Sequence, residues 1–217
     1  MKGKDDGTRT NTNAVMDISH YQGNVDLAAA KGDGIVAVIH KATQGTNWFD
    51  NMYAVNRPKA AAAGVLWGAY HFGTASGDGV TQAQYFLKIA QPDAQTLVVL
   101  DFEENKGSTM TLDQAHQFVT FIHTTLNRWP VLYGGSYLKS VLAGNSDPLL
   151  ANCPLWWAQY AAAPVIPPNW KDWTLWQYTD GTHGPAPHQV QGVGPCDRDQ
   201  FNGDMNALKV LWGVGGS

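Results

Sequence analysis

The carboxylates of Asp101 and Glu103 are the pair in this sequence best suited to chemistry. They follow the apolar run Leu97–Leu100, which is typical of a buried strand because it is short, rich in Val and Leu, and bounded by turn residues. Side chains two positions apart on a strand share a face, with Cα atoms ~6–7 Å apart. Neighbouring carboxylates repel each other's charge, which raises one pKa and suits that group to act as an acid near neutral pH. A capping or ion-pairing role stays open, since the pattern is very short.

The elements that position this pair alternate between apolar runs and segments of helical character. Asn51–Ala63 is Ala-rich, and Gly79–Ala90 and Thr111–Arg128 are also predicted helices. The predicted strands are Ala14–Asp17, Ile35–Ala42, Val65–Phe72, Leu97–Leu100, Val131–Gly134, Leu155–Tyr160, Thr174–Tyr178 and one within Val193–Phe201. Such alternation indicates a parallel sheet, and about eight strands indicate a β/α barrel.

The second half of the chain is poorer in helix than a regular barrel. Ala161–Lys171 and Asp180–Pro195 are rich in Pro and Gly, so they are predicted to be loops. We therefore predict an irregular, TIM-barrel-like α/β fold with a helix-poor C-terminal half and some hairpin structure late in the chain.

Polar and aromatic side chains stand where most of the predicted strands end, and in a β/α barrel the functional groups gather at those carboxyl ends. The residues expected there are Asp17, Lys41, Tyr70, His71, Asp101, Glu103, Tyr133, Gln159, Tyr160, Trp176, Gln177, Asp197 and Asp199. An acidic cup lined with aromatic rings suits a neutral, polyhydroxylated substrate whose transition state resembles a cation. Barrel-top packing stays open for Tyr70 and His71, and pairing with Arg198 stays open for Asp197 and Asp199.

Composition narrows the class of protein. The 217 residues are 44% hydrophobic and 15% charged, with a formal net charge of −4, which fits one globular domain and argues against a nucleic-acid partner. No apolar stretch approaches the ~20 residues of a membrane span, and no signal-peptide core is visible. We expect a disordered polar leader over residues 1–13, one barrel over 14–212, and a tail over 213–217.

Two cysteines, Cys153 and Cys196, allow one disulfide at most, and two free buried thiols are the alternative. Neither Cys-x-x-Cys nor His-x-x-x-His spacing occurs, and there is no Gly-rich phosphate loop. We therefore expect neither a metal nor another cofactor.

Taken together, seven stretches in order along the chain resemble glycoside hydrolase family 25, the lysozymes that cut bacterial cell-wall peptidoglycan. The resemblance extends from about Val15 to about Phe201. The matching stretches are Met16–Gly23, His40–Gly45, Gly68–Phe72, Leu100–Glu103, Leu155–Tyr160, Trp176–Tyr178 and Asp197–Phe201. The sequence departs from the family pattern at Gln44, where many relatives carry Glu, and we expect this to alter the rim of the groove and not the chemistry.

The resemblance implies a muramidase that hydrolyses the β-1,4 bond between N-acetylmuramic acid and N-acetylglucosamine without a cofactor. It makes Glu103 the general acid, while Asp101 stabilises an attacking N-acetyl group of the substrate or acts as nucleophile or base. Asp17 and Asp197 match the other acids of the site, with Asp199 as the alternative to Asp197. The residues expected to bind sugar are Tyr70, His71, Tyr133, Gln159, Tyr160, Trp176, Gln177 and Asp199.

The expected partner is therefore bacterial peptidoglycan, bound by a monomer that contacts neither nucleic acid nor membrane. The expected setting is extracellular or at the bacterial cell wall, for a secreted or phage-encoded bacteriolytic, antimicrobial enzyme. Two rivals stay open: a catalytically silent glycan-binding module on the same barrel, and a hydrolase of a related N-acetylated polymer such as chitin. The presence of all four acids favours the enzyme over the silent module.

Overall fold

The strands of the protein, seen in a computed structural model that describes residues 11–215, close into a barrel. The strands are β1 Asn11–Ile18, β2 Ala37–Gln44, β3 Trp48–Phe49, β4 Leu66–Phe72, β5 Leu97–Asp101, β6 Val131–Gly134, β7 Leu155–Ala158, β8 Leu175–Thr179, β9 Gln189–Val190, β10 Gly194–Pro195 and β11 Asp197–Asn202. Eight of them form the barrel in the order β1, β11, β8, β7, β6, β5, β4, β2, and pairing of β1 with β2 closes it. The predicted irregular α/β barrel is confirmed.

Six α-helices accompany these strands in the described part of the chain. They are α1 Leu27–Gly32, α2 Tyr53–Ala63, α3 Gly79–Ala90, α4 Leu112–Leu126, α5 Ser136–Leu142 and α6 Met205–Leu211. Helix α4 begins at a capping box, in which the Thr111 side chain accepts from the Gln114 backbone and the Gln114 side chain accepts from the Thr111 backbone. Within residues 11–215, no helix combines the length and apolar character that crossing a membrane requires.

The last barrel strand differs from the rest. Strand β11 is antiparallel to both of its neighbours, β1 and β8, whereas the other barrel pairings are parallel. It follows the β9–β10 hairpin and not a helix, so the chain has no helical crossover that would bring it back in the parallel direction. The late hairpin was predicted, while the direction of β11, the short strand β3 and helix α6 were not.

The ends of the predicted domain also differ in detail. Strand β1 begins at Asn11, so residues 11–13 of the predicted leader belong to the barrel, and residues 1–10 lie outside the described residues. The predicted tail follows α6, and residues 216 and 217 lie outside the described residues as well. Cys153 and Cys196 are both free and buried, and burial raises the pKa of each thiol to about 12.

Side chains of the barrel strands alternate between the barrel interior and an outer layer covered by helices. Val15, Val99 and Leu175 pack inside, and each is followed two residues later by a polar side chain at the carboxyl end of its strand. Helix α6 lies against this interior cluster, where Trp212 is fully buried and its Nε1 donates to the Trp67 carbonyl over 3.0 Å. One end of the barrel is therefore packed with apolar groups, and the other end presents polar ones.

Candidate active site

A pocket of about 210 Å³ lies at the carboxyl ends of the parallel barrel strands and contains four acids. The residues that line it are Asp17, Tyr70, Asp101, Glu103, Tyr133, Trp156, Tyr160, Gln177 and Asp197. The strands aim them inward because side chains two positions apart share a face, so Asp17 follows Val15 and Asp101 follows Val99. The structure thus brings together the four acids that the sequence singled out.

Asp101 and Glu103 reach this pocket in different ways. Asp101 is the last residue of β5, and Glu103 lies two residues beyond the end of the strand. The side chain between them, Phe102, is fully buried in the outer layer, with its ring centroid 5.1 Å from that of Tyr137. The buried Phe102 anchors the chain here, so both carboxyl groups line the pocket although Glu103 is not a strand residue.

The electrostatics of this pair favour retention of a proton. Burial raises the pKa of Asp101 well above its ordinary value, and the charge of Glu103 raises it further. Burial also raises the pKa of Glu103, while the Lys41 ammonium lowers the pKa of both carboxyls. Lys41 Nζ donates to Gln44 Oε1 over 2.8 Å. Two interacting carboxyls of this kind release their protons in separate steps, so the pair retains one proton to a higher pH than an ordinary carboxyl does.

Asp101 carries a further feature that bears on ligand binding. Its Oδ1 is buried and has no hydrogen-bond partner among the described residues. Buried carboxylate oxygens are normally satisfied by donors. An N–H or O–H group of a molecule in the pocket could supply that bond.

Gln177 organises the opposite side of the pocket. Its Nε2 donates to Asp17 Oδ2 over 2.8 Å, and its Oε1 accepts from the hydroxyls of Tyr133 and Tyr160 over 2.9 and 3.1 Å. Burial raises the pKa of both phenols, so they remain protonated donors. These two donors orient the amide of Gln177, and its NH₂ group then faces Asp17.

Three aspartates converge on this side. Asp17 lies opposite Asp197 in the β1–β11 register. Burial raises the pKa of Asp17 well above its ordinary value, and the charges of Asp197 and Asp199 add to the effect. Burial, assisted by Asp180, raises the pKa of Asp197 to about 7. These acids therefore favour shared protons over three separate negative charges.

Asp197 and Asp199 take different positions. Asp197 lines the pocket, whereas Asp199 has no exposed surface and does not line it. Asp199 Oδ1 accepts from Trp156 Nε1 over 2.7 Å, and its Oδ2 has no partner among the described residues. The geometry thus supports Asp197 as the acid of the site and does not support direct sugar contact by Asp199.

His71 is not part of this pocket, which corrects its predicted role in binding sugar. Its side chain has no exposed surface, its Nδ1 lies 2.8 Å from Thr43 Oγ1, and its Nε2 lies 3.1 Å from Gln82 Oε1. Burial lowers its pKa to about 4, so it is neutral near pH 7. The reason is alternation along β4: Tyr70 faces the pocket, so its neighbour faces the helices.

Trp176 also lies outside the pocket, for the same reason. It precedes the inward-facing Gln177, and its ring packs in the outer layer with centroids 6.0 Å from those of Trp173 and Tyr178. Its Nε1 donates to the Gln159 carbonyl over 2.8 Å. Gln159 itself lines an adjoining groove that shares Glu103, Tyr133 and Tyr160 with the pocket. Of these two residues, only Gln159 is placed where it could contact a bound chain.

Trp156 is the lining residue that sequence reasoning missed. It pairs in register with Tyr133 on the next strand, and the two rings lie 4.7 Å apart at an interplanar angle of 70°. The signal was present in Leu155–Tyr160, because alternation puts only one of the adjacent Trp156 and Trp157 inside. Among residues 11–215, no group of three or more His, Cys, Asp and Glu side chains is arranged to hold a metal ion.

Comparisons with known proteins extend over most of the chain. The family model of glycosyl hydrolases family 25 matches residues 16–186. Lysozyme M1 of Streptomyces globisporus is 32% identical over 211 residues, which are 90% of this chain and 70% of that protein. The N,O-diacetylmuramidase of Chalaropsis sp is 32% identical over 183 residues, covering 76% of this chain and 87% of that one. The solved structure of a family GH25 lysozyme from Aspergillus fumigatus is 34% identical with a TM-score of 0.81, covering 95% of this chain and 100% of its own.

Proposed function

The chain belongs to glycosyl hydrolases family 25, and from the geometry of its pocket we propose which residues carry out the hydrolysis. As a member it is a lysozyme, a glycoside hydrolase that cleaves the β-1,4 bond between N-acetylmuramic acid and N-acetylglucosamine in peptidoglycan. The observation that carries the residue assignment is the pair Asp101 and Glu103, two carboxyls of raised pKa in one pocket. Such a pair can supply both a proton and a negative charge where a glycosidic bond breaks.

Glu103 is the general acid. Its proton passes to the glycosidic oxygen as the bond from that oxygen to the anomeric carbon breaks, and the leaving sugar departs as an alcohol. Glu103 suits this role better than Asp101 because it lies beyond the strand end and is less buried, so it can reach an oxygen above the sugar ring. Lys41 prevents its pKa from rising too far for the proton to leave.

Asp101 orients the acetamido group of the substrate. Its unpartnered Oδ1 accepts from the acetamido N–H, which turns the carbonyl oxygen of that group toward the anomeric carbon. That oxygen bonds to the carbon as the leaving sugar departs, giving a cyclic oxazolinium ion whose positive charge Asp101 stabilises. Water then attacks the anomeric carbon, gives its proton to the Glu103 carboxylate, and reopens the ring.

The remaining side chains hold the sugar and set the field. Asp17 is held in place by Gln177, and the negative charge that remains on the proton-sharing acids Asp17 and Asp197 favours a cation-like transition state beside them. Tyr70, Tyr133, Tyr160 and Trp156 supply rings and polar tips for the sugar faces and hydroxyls.

We further propose that the protein acts as a monomer at the bacterial cell wall, outside the cytoplasm of the cell that makes it. A polymer of wall dimensions is accessible only there, and the pocket uses residues of a single chain. A catalytically silent module would gain nothing from four acids in one pocket, since the burial of Asp17 and Asp101 costs stability at neutral pH.

Product analysis tests this function against its rivals. The protein is incubated with purified peptidoglycan and, separately, with chitin; the fragments are reduced with borohydride and identified by mass spectrometry. The proposal expects peptidoglycan fragments that end in reduced N-acetylmuramic acid. Ends of reduced N-acetylglucosamine would mean that another bond is cut, cleavage of chitin alone would indicate the related hydrolase, and no fragments from several wall types would favour the silent module.

A further inference from the structure

Three aromatic side chains stand exposed at one edge of the barrel mouth. Tyr21, Trp48 and Phe49 are 85%, 38% and 56% exposed, a state that large rings rarely adopt together without a partner. Tyr21 lies in the 3₁₀ turn His20–Gln22, which follows β1. Trp48 and Phe49 form β3, which pairs antiparallel with the end of β2. Since parallel β1 and β2 both end at the mouth, these rings share its edge with Asp17.

His20 fixes this surface. Its ring centroid lies 4.3 Å from that of Tyr21 and 5.4 Å from that of Trp48. Its Nδ1 lies 2.9 Å from Asp50 Oδ2, and its backbone N–H donates to the same oxygen over 2.8 Å. Because the Asp50 side chain is fully buried, the contact ties the rings to the barrel wall. We name His20, Tyr21, Trp48 and Phe49 the aromatic rim.

Lys41 connects the aromatic rim to the pocket. Its Nζ lies 5.0 Å from the centroid of Trp48 and 4.6 Å from that of Phe72, within the range of cation–π attraction. The same ammonium acts electrostatically on Asp101 and Glu103. Lys41, on β2, therefore lies between the aromatic rim and the two acids Asp101 and Glu103.

We propose that the aromatic rim binds sugar rings of the same glycan strand that occupies the pocket, several residues away from the bond that is cut. Pyranose rings present flat C–H faces that pack on aromatic side chains, and neutral sugars need no charged partner. A rim at a fixed distance from the acids makes the enzyme favour long strands over short ones. This inference rests on the proposed function, which supplies the glycan.

Chain-length dependence tests the proposal. The double variant Tyr21→Ala/Trp48→Ala is compared with wild type on peptide-free glycan strands of four sugars and of ten or more. Because Trp48 contacts Lys41, each variant is measured at its own pH optimum. We expect KM for the long strands to rise about tenfold with kcat unchanged, and no change for the tetrasaccharide. Tyr21→Phe/Trp48→Phe retains the rings and restores most of the wild-type KM. The matched control is Tyr85→Ala, which removes a half-buried ring from α3 on the outside of the barrel.

Binding to the Glu103→Gln variant, measured by calorimetry with the same strands, makes the test independent of turnover. Wild-type protein that cuts no strand would contradict the proposed function, yet a length-dependent affinity lost with Tyr21 and Trp48 would still support the rim. An unchanged KM and affinity for long strands in the double variant overturns the inference. Equal losses of affinity for the short and the long strands also overturn it. So does a lower sedimenting mass of the double variant than of the wild type, which would show that the aromatic rim packs against a second copy of the chain.

Discussion

The two sides of the pocket contain the same kind of group and treat it differently. Asp101 and Glu103 lie under the influence of one cation, Lys41, which opposes the effect of burial on both pKa values. Asp17 faces two other aspartates, and the group that favours its charged form is the neutral amide of Gln177. A nearby cation makes it easier for a carboxyl to release its proton and take it up again during turnover. A cluster of acids retains its protons, so its protonation state changes less during the reaction. The two sides therefore differ in the groups that surround their acids and not in the kind of acid.

The largest expected effect is at Glu103. Glu103→Gln keeps the shape of the side chain but has no acidic proton, so turnover on peptidoglycan should fall about 10²–10⁴-fold with little change in substrate affinity. Release of soluble fragments measures turnover, and the exposed neighbour in Glu104→Gln is the control, expected to stay near wild type. Full activity in Glu103→Gln would place the acid elsewhere in the pocket.

Asp101→Asn should cause the second largest loss of kcat, and Asp199→Asn a much smaller one. Asparagine at 101 removes the negative charge that stabilises the intermediate, and a loss of about 10²-fold in kcat is expected. Asp199 lies outside the pocket, bonded to Trp156, so its variant should lose at most about tenfold through small shifts of that ring. Equal losses at 101 and 199 would mean that the two sides do not have separate roles.

Lys41→Met should shift the pH profile with a moderate effect on rate. The ammonium lowers the pKa of Asp101 and Glu103, so its removal raises both values. The pair loses its two protons in separate steps, which set the acid limb and the alkaline limb, and both limbs should move to higher pH. Lys41→Arg keeps a cation there and should leave the limbs close to wild type. A profile that narrows or moves down would contradict this account of the Lys41 side.

The smallest expected effect concerns stability on the Asp17 side. Burial raises the folded-state pKa of Asp197 to about 7, so its neutral form stabilises the fold at low pH and that contribution is lost as pH rises through 7. Asp197→Asn should therefore raise the melting temperature at pH 8 by on the order of 5 °C and leave it nearly unchanged at pH 4. Calorimetric melting at both values measures this. A rise in melting temperature at pH 4 but not at pH 8 would contradict the raised pKa of Asp197.

Much of this site can be predicted from where the strands end and from the alternation of side chains along them. Strand ends located the four acids, because carboxyl ends of parallel strands meet at one mouth. Alternation along β4 and β8 makes Tyr70 and Gln177 the inward residues, so their neighbours His71 and Trp176 lie outside the pocket although both are predicted to bind sugar. The same alternation along β7 places Trp156 inside. A period of two is local information, available from the sequence alone.

Other features needed contacts between distant parts of the chain. Helix α6 has seven residues, and its apolar face is explained only by the barrel end against which it packs. The antiparallel direction of β11 depends on the hairpin before it, because parallel pairing with β8 would need a crossover connection and no helix lies in the described residues between β8 and β11. The difference between Asp197 and Asp199 likewise depends on Trp156, which lies more than forty positions earlier in the chain.

The most direct test of the central claim is the titration of Glu103 itself. The sequence contains only two glutamates, so protein labelled with ¹³C at the glutamate side-chain carboxyl gives two signals, assigned with Glu103→Gln. The second signal belongs to the exposed Glu104. We predict that the Glu103 signal titrates above the ordinary range for glutamate and that it moves further up in Lys41→Met. A Glu103 carboxyl that is fully ionised at pH 5, with or without Lys41, would contradict its assignment as the general acid.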